Sequence, residues 1–239
     1  MKLTVADLAA MTDLSSVRAE CDEAEIRQLA AAAKRHNCIA VFTLPGFTPL
    51  IRELLADAPP IRIGGVVGFP SGGDTSIAKA AQAADLVRLG CHELDMVINI
   101  GRLRSGRHEA VREDIQAVVD AAGALPVKVI LECHYLTEEQ IRVGCAMCVQ
   151  AGASWVKTGT GWAPTGATPR NVAIMKRCVG DKLGVKAAGG VRTLETLVEI
   201  YQAGATRFGI SLSSALKIFD QCAALPGGAV EFDWPQAAY

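Results

Sequence analysis

The chain has 239 residues, half of them hydrophobic and only 5% aromatic, with a net charge of −1 and a pI near 6.4. That apolar content supports a large core and excludes a disordered chain. The near-neutral balance shows no basic stripe and no interleaved aromatic set, so nucleic acid is not an expected partner, and no apolar run reaches the ~18 residues of a membrane span.

The first residues lack the long apolar stretch of a signal peptide, so a cytoplasmic location is expected. A short apolar piece at residues 11–14 is the least distinct candidate strand. Asp22 and Glu25 resemble a capping box ahead of Ile26, Leu29 and Ala33, which share one helical face. Clear strands are predicted at residues 38–43 and 61–68. A helix carrying Ile77, Ala81, Ala84 and Val87 follows, closed by Gly90. Strands at 93–98 and 127–132 come next. Thr137 to Gln140 fits the full capping-box pattern and opens a helix running to Ala151, with Gly152 just past its end. A strand at 154–158 leads to Thr168-Pro169, which reads as N-cap and first helical residue. A strand at 183–188 precedes a helix from Thr193 to near Gly204, and a last strand spans 206–210.

Repeated strand–helix units imply parallel strands joined by right-handed crossovers. No GxGxxG fingerprint follows the first strand and no P-loop sequence occurs, so an open nucleotide-binding sheet is disfavoured. About eight units in a chain of this length predict an α/β protein, one (β/α)8 TIM barrel over residues 1–239. In such barrels chemistry sits at the C-terminal ends of the strands, which makes position along a strand a guide to function.

Eight cysteines are present, and the only CxxC is Cys145 with Cys148. It falls inside a predicted helix with no second pair to complete a zinc site. The thiols are read as small hydrophobic residues, and no metal is expected.

Three ionisable residues stand out in apolar strands: Asp95, Lys157 and Lys186. Buried charges are costly unless they are paired or functional. A single strand lysine is readily explained as an ion-paired or snorkelling side chain. Two in consecutive units, each followed by a Gly- or Thr-rich loop, are expected to lie on neighbouring strands and point into one mouth. A like charge and partial desolvation both favour a neutral amine, which attacks carbonyls to form an iminium. Asp95 is then either a proton carrier or a counter-ion. Gly189 and Gly190 precede a helix and offer backbone N–H groups to an anion, with Gly209 and Ser211 completing the cradle; a tight turn is the plainer reading.

Taken together, the segments 93–103, 128–132, 156–161, 184–193 and 207–211 resemble the deoxyribose-phosphate aldolase family. The resemblance implies reversible cleavage of 2-deoxy-D-ribose 5-phosphate to acetaldehyde and D-glyceraldehyde 3-phosphate, with neither metal nor organic cofactor. It implies that Lys157 is the Schiff-base lysine and Lys186 the second lysine of a proton relay. Asp95 matches the relay aspartate, and Asp13 the aspartate that orders the lysines. Thr160, Gly161, Gly189, Gly190, Gly209 and Ser211 match sugar or phosphate positions. Tyr239 matches a terminal tyrosine that reaches the site in some members. A homodimer is expected on the same ground.

Three residues depart from the family pattern, and the N-terminal region lacks the family's His-Thr-containing stretch. Phe42 replaces a Cys, Asn or Tyr, Gly159 a serine, and Leu212 a phosphate-loop serine. They leave the lysines and Asp95 intact and point to altered acceptor preference and weaker phosphate affinity. Two alternatives follow: a related class I lyase for another aldehyde or (phospho)sugar, and a non-catalytic phosphosugar-binding barrel.

Overall fold

The structure is a computed structural model that describes residues 1–58 and 60–233. The chain opens with β1 (Lys2–Thr4) and α1 (Val5–Ala10). Strand–helix units follow as β2 (Thr12–Ser16), α2 (Glu23–His36), β3 (Ala40–Thr43), α3 (Thr48–Leu54), β4 (Arg62–Val67) and α4 (Ser76–Arg88). Next come β5 (Glu93–Val97), α5 (Ile100–Arg104), α6 (His108–Ala122), β6 (Val127–Ile130), α7 (Glu138–Gln150) and β7 (Trp155–Lys157). The last elements are α8 (Pro169–Val179), β8 (Gly184–Ala188), α9 (Leu194–Gln202), β9 (Arg207–Ser211), α10 (Leu212–Ala223) and β10 (Ala229–Glu231).

Strands β2 to β9 run parallel and close into a barrel, the seam formed where Asp13 registers with Gly209. All of the predicted strands form. The weak candidate at 11–14 becomes the full strand β2. The sequence reading missed β1 and β10, which pair antiparallel outside the barrel. It also missed α1, whose Ala9 carbonyl accepts the amide of Ile39 just before β3, closing the N-terminal end.

A two-residue period sorts the strand side chains. Leu14, Val41, Ile63, Leu94, Met96, Val129, Val156, Val185 and Phe208 point outward into the continuous core under the helices. The alternate positions face the barrel axis. There the β3 and β4 side is apolar, with Ala40, Phe42 and Val66, and the remaining strands supply charged groups. Phe42 fits inside only because Gly64 lacks a side chain: a Cβ there would stand 2.1 Å from the ring.

Helix starts follow the predicted chemistry, with one correction. Thr137 and Gln140 form a reciprocal capping box, and Thr168 caps α8 ahead of Pro169. Asp22 caps α2 through the amide of Glu25 at 2.9 Å. Glu25 does not return the bond, because its carboxylate accepts from Ser16 Oγ and Arg18 Nη2, each at 2.7 Å.

Helix α4 forms but turns a different face inward from its apolar one. Ile77, Ala81, Ala84 and Val87 are exposed, while Lys79, Ala83 and Leu86 are buried. Lys79 goes inside because Asp114 on α6 meets its ammonium at 2.6 Å and the Val97 carbonyl accepts from it at 2.9 Å. Among the described residues, no helix is long and apolar enough to cross a membrane.

Candidate active site

The strand ends carry a continuous network of buried charges. Lys157 on β7 and Lys186 on β8 are directly registered neighbours. One oxygen, Asp95 Oδ2, accepts from both, at 2.7 Å from Lys157 Nζ and 2.6 Å from Lys186 Nζ. Lys186 Nζ also lies 2.6 Å from Asp13 Oδ2. The structure thus brings Asp13, Asp95, Lys157 and Lys186 together from four strands.

Three further charged residues join the network that the sequence reading did not single out. Lys128 on β6 reaches Asp95 Oδ1 at 3.1 Å and Glu93 Oε1 at 2.9 Å. Arg207 on β9 donates from Nε to Asp13 Oδ1 at 2.5 Å and from Nη2 to Glu93 Oε1 at 2.6 Å. A local signal existed for each. Glu93 and Asp95 are two apart on one strand, as are Arg207 and the axis-facing Gly209, and Lys128 stands alone between valines. Gly209 has a structural duty too: a Cβ there would come within 3.2 Å of Lys186 Cε. Phe42 lies beneath the ammonium groups, its ring centre 4.1 Å from Lys186 Nζ and 4.7 Å from Lys128 Nζ. The negative ring face favours cations at that range.

The charges differ in state. Burial works to raise the Asp95 carboxyl, but the ammonium groups of Lys128, Lys157 and Lys186 hold it well below the usual carboxylate range. Burial also opposes the charge on Lys186, yet Asp13 and Asp95 outweigh it and raise the lysine. Lys157 goes the other way, to about 8. Burial is the largest cause, Asp95 resists it, and the Lys186 charge adds to the fall. The neighbouring ammonium is therefore the smaller of the two depressing influences, where the sequence reading put it first. Roughly a tenth of Lys157 is neutral at pH 7, against less than about one in a thousand for an ordinary lysine.

Of the network cations, only Lys157 reaches a pocket of about 250 Å³ at the C-terminal mouth. The predicted ligand positions Thr160, Gly161, Gly189, Gly190, Gly209 and Ser211 all line it. Gly161, Gly189 and Gly190 have φ of +85°, +82° and +84°, a region where a side chain is strained. Ser211 is the N-cap of α10 and its hydroxyl bonds Ser214 Oγ at 3.1 Å. Arg192, just past the glycines, is an exposed rim cation without an ion-pair partner among the described residues. Arg18, also at the rim, is held by Glu20 and Glu25.

The loop after β7 roofs the pocket. Glu132 Oε2 accepts from both the amide and the hydroxyl of Thr160. Thr160 Oγ1 in turn accepts from the Trp162 amide at 3.0 Å, and the indole donates to the Val17 carbonyl at 3.0 Å. Gly159 suits this packing, since a Cβ would lie 2.7 Å from Glu132 Oε1. Tyr239 lies outside the described residues. Cys145 and Cys148 are buried free thiols on α7, each raised chiefly by burial.

Fold and site together define a (β/α)8 barrel with a buried amine opening on its C-terminal mouth. A sequence model described as DeoC/LacD family aldolase matches residues 7–221. A deoxyribose-phosphate aldolase of Sinorhizobium medicae is 46% identical over 94% of this chain and 91% of its own. One from Klebsiella pneumoniae is 45% identical over 91% and 88%, respectively. Among solved structures, a tetrameric deoxyribose phosphate aldolase from Aeropyrum pernix superimposes with a TM-score of 0.85 at 28% identity, covering 92% of this chain and 93% of that one. The chain belongs to the DeoC/LacD aldolase family and is a lyase.

Proposed function

We propose that this chain reversibly cleaves 2-deoxy-D-ribose 5-phosphate into acetaldehyde and D-glyceraldehyde 3-phosphate through a Schiff base on Lys157. The observation that carries the reading is a buried amine, lowered to about 8, that alone among the network cations opens on the pocket. The names of the relatives supply the substrate.

In this reading neutral Lys157 attacks the open-chain aldehyde carbon to give a carbinolamine, which loses water to the iminium. The iminium draws electrons from the carbon–carbon bond beta to it. That bond breaks as the departing hydroxyl becomes the carbonyl of glyceraldehyde 3-phosphate and gives up its proton. The enamine left on Lys157 takes a proton at carbon, and water releases acetaldehyde. Asp95 and Lys186 share one short hydrogen-bonded unit with Lys157 and carry these protons; Asp13 holds Lys186 in place. The phosphate sits against Gly189, Gly190 and the N-terminus of α10, where backbone N–H groups favour anions, with Arg192 adding a full charge. Neither metal nor organic cofactor enters any step.

The test is release of acetaldehyde from a panel of aldehydes and sugars. Deoxyribose 5-phosphate is expected to lead by kcat/KM. A second reading, a lyase for another aldehyde or sugar, draws on Leu212 at the first turn of α10, where a hydroxyl would serve an anion better. A higher kcat/KM for an unphosphorylated substrate favours it. Saturable phosphosugar binding without turnover overturns the cleavage proposed here. The expected homodimer belongs to the same proposal, and light scattering separates it from a tetramer like that of the Aeropyrum pernix relative.

A further inference from the structure

Beneath Lys157 the barrel interior holds more positive than negative groups. Four cations, Lys128, Lys157, Lys186 and Arg207, face three carboxylates, Asp13, Glu93 and Asp95, and each of the seven is less than a tenth exposed. Each of these three carboxylates is shared by at least two of the cations. Asp13 serves Arg207 and Lys186. Glu93 serves Arg207 and Lys128. Asp95 serves Lys128, Lys157 and Lys186. A buried net charge is expensive, and such a cluster relaxes by losing a proton where it can.

Arg207 cannot be the donor of that proton, because a guanidinium stays charged in proteins. Lys128 and Lys186 are fully buried, each against two carboxylates, whereas Lys157 touches one carboxylate and is the member nearest solvent. Neutral Lys157 leaves three cations on three carboxylates.

We propose that Arg207 and Glu93, neither of which touches the pocket, are positioning residues that select the charge state of Lys157 by fixing the charge balance of the barrel interior. This rests on the Schiff-base reading above. Arg207 occupies the cation place that Lys157 would otherwise fill, and Glu93 limits how far the excess extends.

The other groups around the network do not supply the balance. From β4, half-exposed Arg62 approaches Glu93 only at 3.5 Å from the solvent side. Glu132, just past β6, gives Oε2 to Thr160, and it makes no ion pair with any network cation among the described residues. Cys38, ahead of β3, is held as a thiol by burial and by Asp13, at about 12. Arg18 is paired at the rim and Arg192 is exposed to solvent.

The experiment measures the rate of irreversible ethyl labelling of Lys157 by acetaldehyde and cyanoborohydride, from about pH 6 to about pH 10, in full-length protein. Arg207→Met removes a cation, so the midpoint of the profile is expected to rise by about one pH unit. Labelling at pH 7 then falls about tenfold and recovers in alkali. Glu93→Gln removes an anion, and its midpoint is expected to move down. Arg207→Lys keeps the charge and is expected to keep the parent midpoint, and the Arg207→Met/Glu93→Gln pair returns toward it. A merely structural role lowers Tm without moving the two midpoints in opposite directions.

Should Arg207→Met fail to fold, the downward shift of Glu93→Gln and the unmoved Arg207→Lys decide the matter. Midpoints that stay fixed, or that move together, in folded variants overturn the proposal while the aldolase reading stands. If the parent protein takes no label at Lys157, the aldolase reading fails and this inference with it.

Discussion

Lys157 differs from a surface lysine in its surroundings rather than its chemistry. Burial takes its amine to about 8, against the pull of Asp95. In the proposed Schiff-base reaction the neutral amine is the reactive form, so activity is expected to fall as pH drops through that value. Plotted against pH, kcat/KM is expected to rise through about 8, falling about tenfold per unit well below it. A plateau reaching down to pH 6 contradicts the assignment. Lys186→Leu removes the neighbouring ammonium and frees Asp95 to favour a charged Lys157. Its kcat/KM at pH 7 is expected to drop at least about tenfold, with partial recovery in alkali; equal activity at pH 7 rules out a role for Lys186. The meeting of both lysines with Asp95 was legible because charges stand out in apolar strands, and each lysine strand ends in a Gly- or Thr-rich loop. Arg207 was not, since its partner Asp13 is 194 residues away and meets it only when the barrel closes.

At the scale of elements, the loop after β7 links the site to its roof. The Ala167 amide donates to the Gly189 carbonyl at 2.7 Å, and Gly166 packs so closely that a Cβ would stand 2.1 Å from that oxygen. Gly166→Ala therefore pushes the loop off the glycine turn. It is expected to lower kcat/KM about tenfold or more, mostly through KM, if that turn holds the substrate; unchanged kinetics contradict this placing of the loop. Thr137→Ala is the matching control. It removes the cap of α7, outside the site, and is expected to cost about 1 kcal/mol in denaturant unfolding with an unaltered pH profile. Element starts were legible where a cap side chain sits beside the backbone it serves, as at Thr137 and Thr168. The inward face of α4 was not. The sequence located the helix through Ile77, Ala81, Ala84 and Val87 without choosing a face, and the buried face holds Lys79, which pairs with Asp114, 35 positions on.

For the whole molecule, the sheet closes because every strand has two parallel neighbours and an apolar outer face under helices. Alternating strand and helix signals made that architecture readable. The interior division into an apolar wall and a charged one was not, because it depends on which strands meet across the axis. Lys79 and Asp114 lock α4 to α6 and to the end of β5, both side chains fully buried. Lys79→Met strands a buried carboxylate and is expected to destabilise the fold by about 3–5 kcal/mol. Adding Asp114→Leu is expected to restore most of that loss; if the double variant is as unstable as the single one, the pair is not the source.

The central claim, an amine at the mouth of this barrel that gives up its proton near neutral pH and condenses with an aldehyde, is tested most directly by reduction. Incubation with acetaldehyde and borohydride, followed by peptide mass analysis, is expected to find one ethyl group on Lys157 and to find loss of activity in step with it. An ethyl group on another lysine, or full activity after stoichiometric labelling of Lys157, contradicts the account.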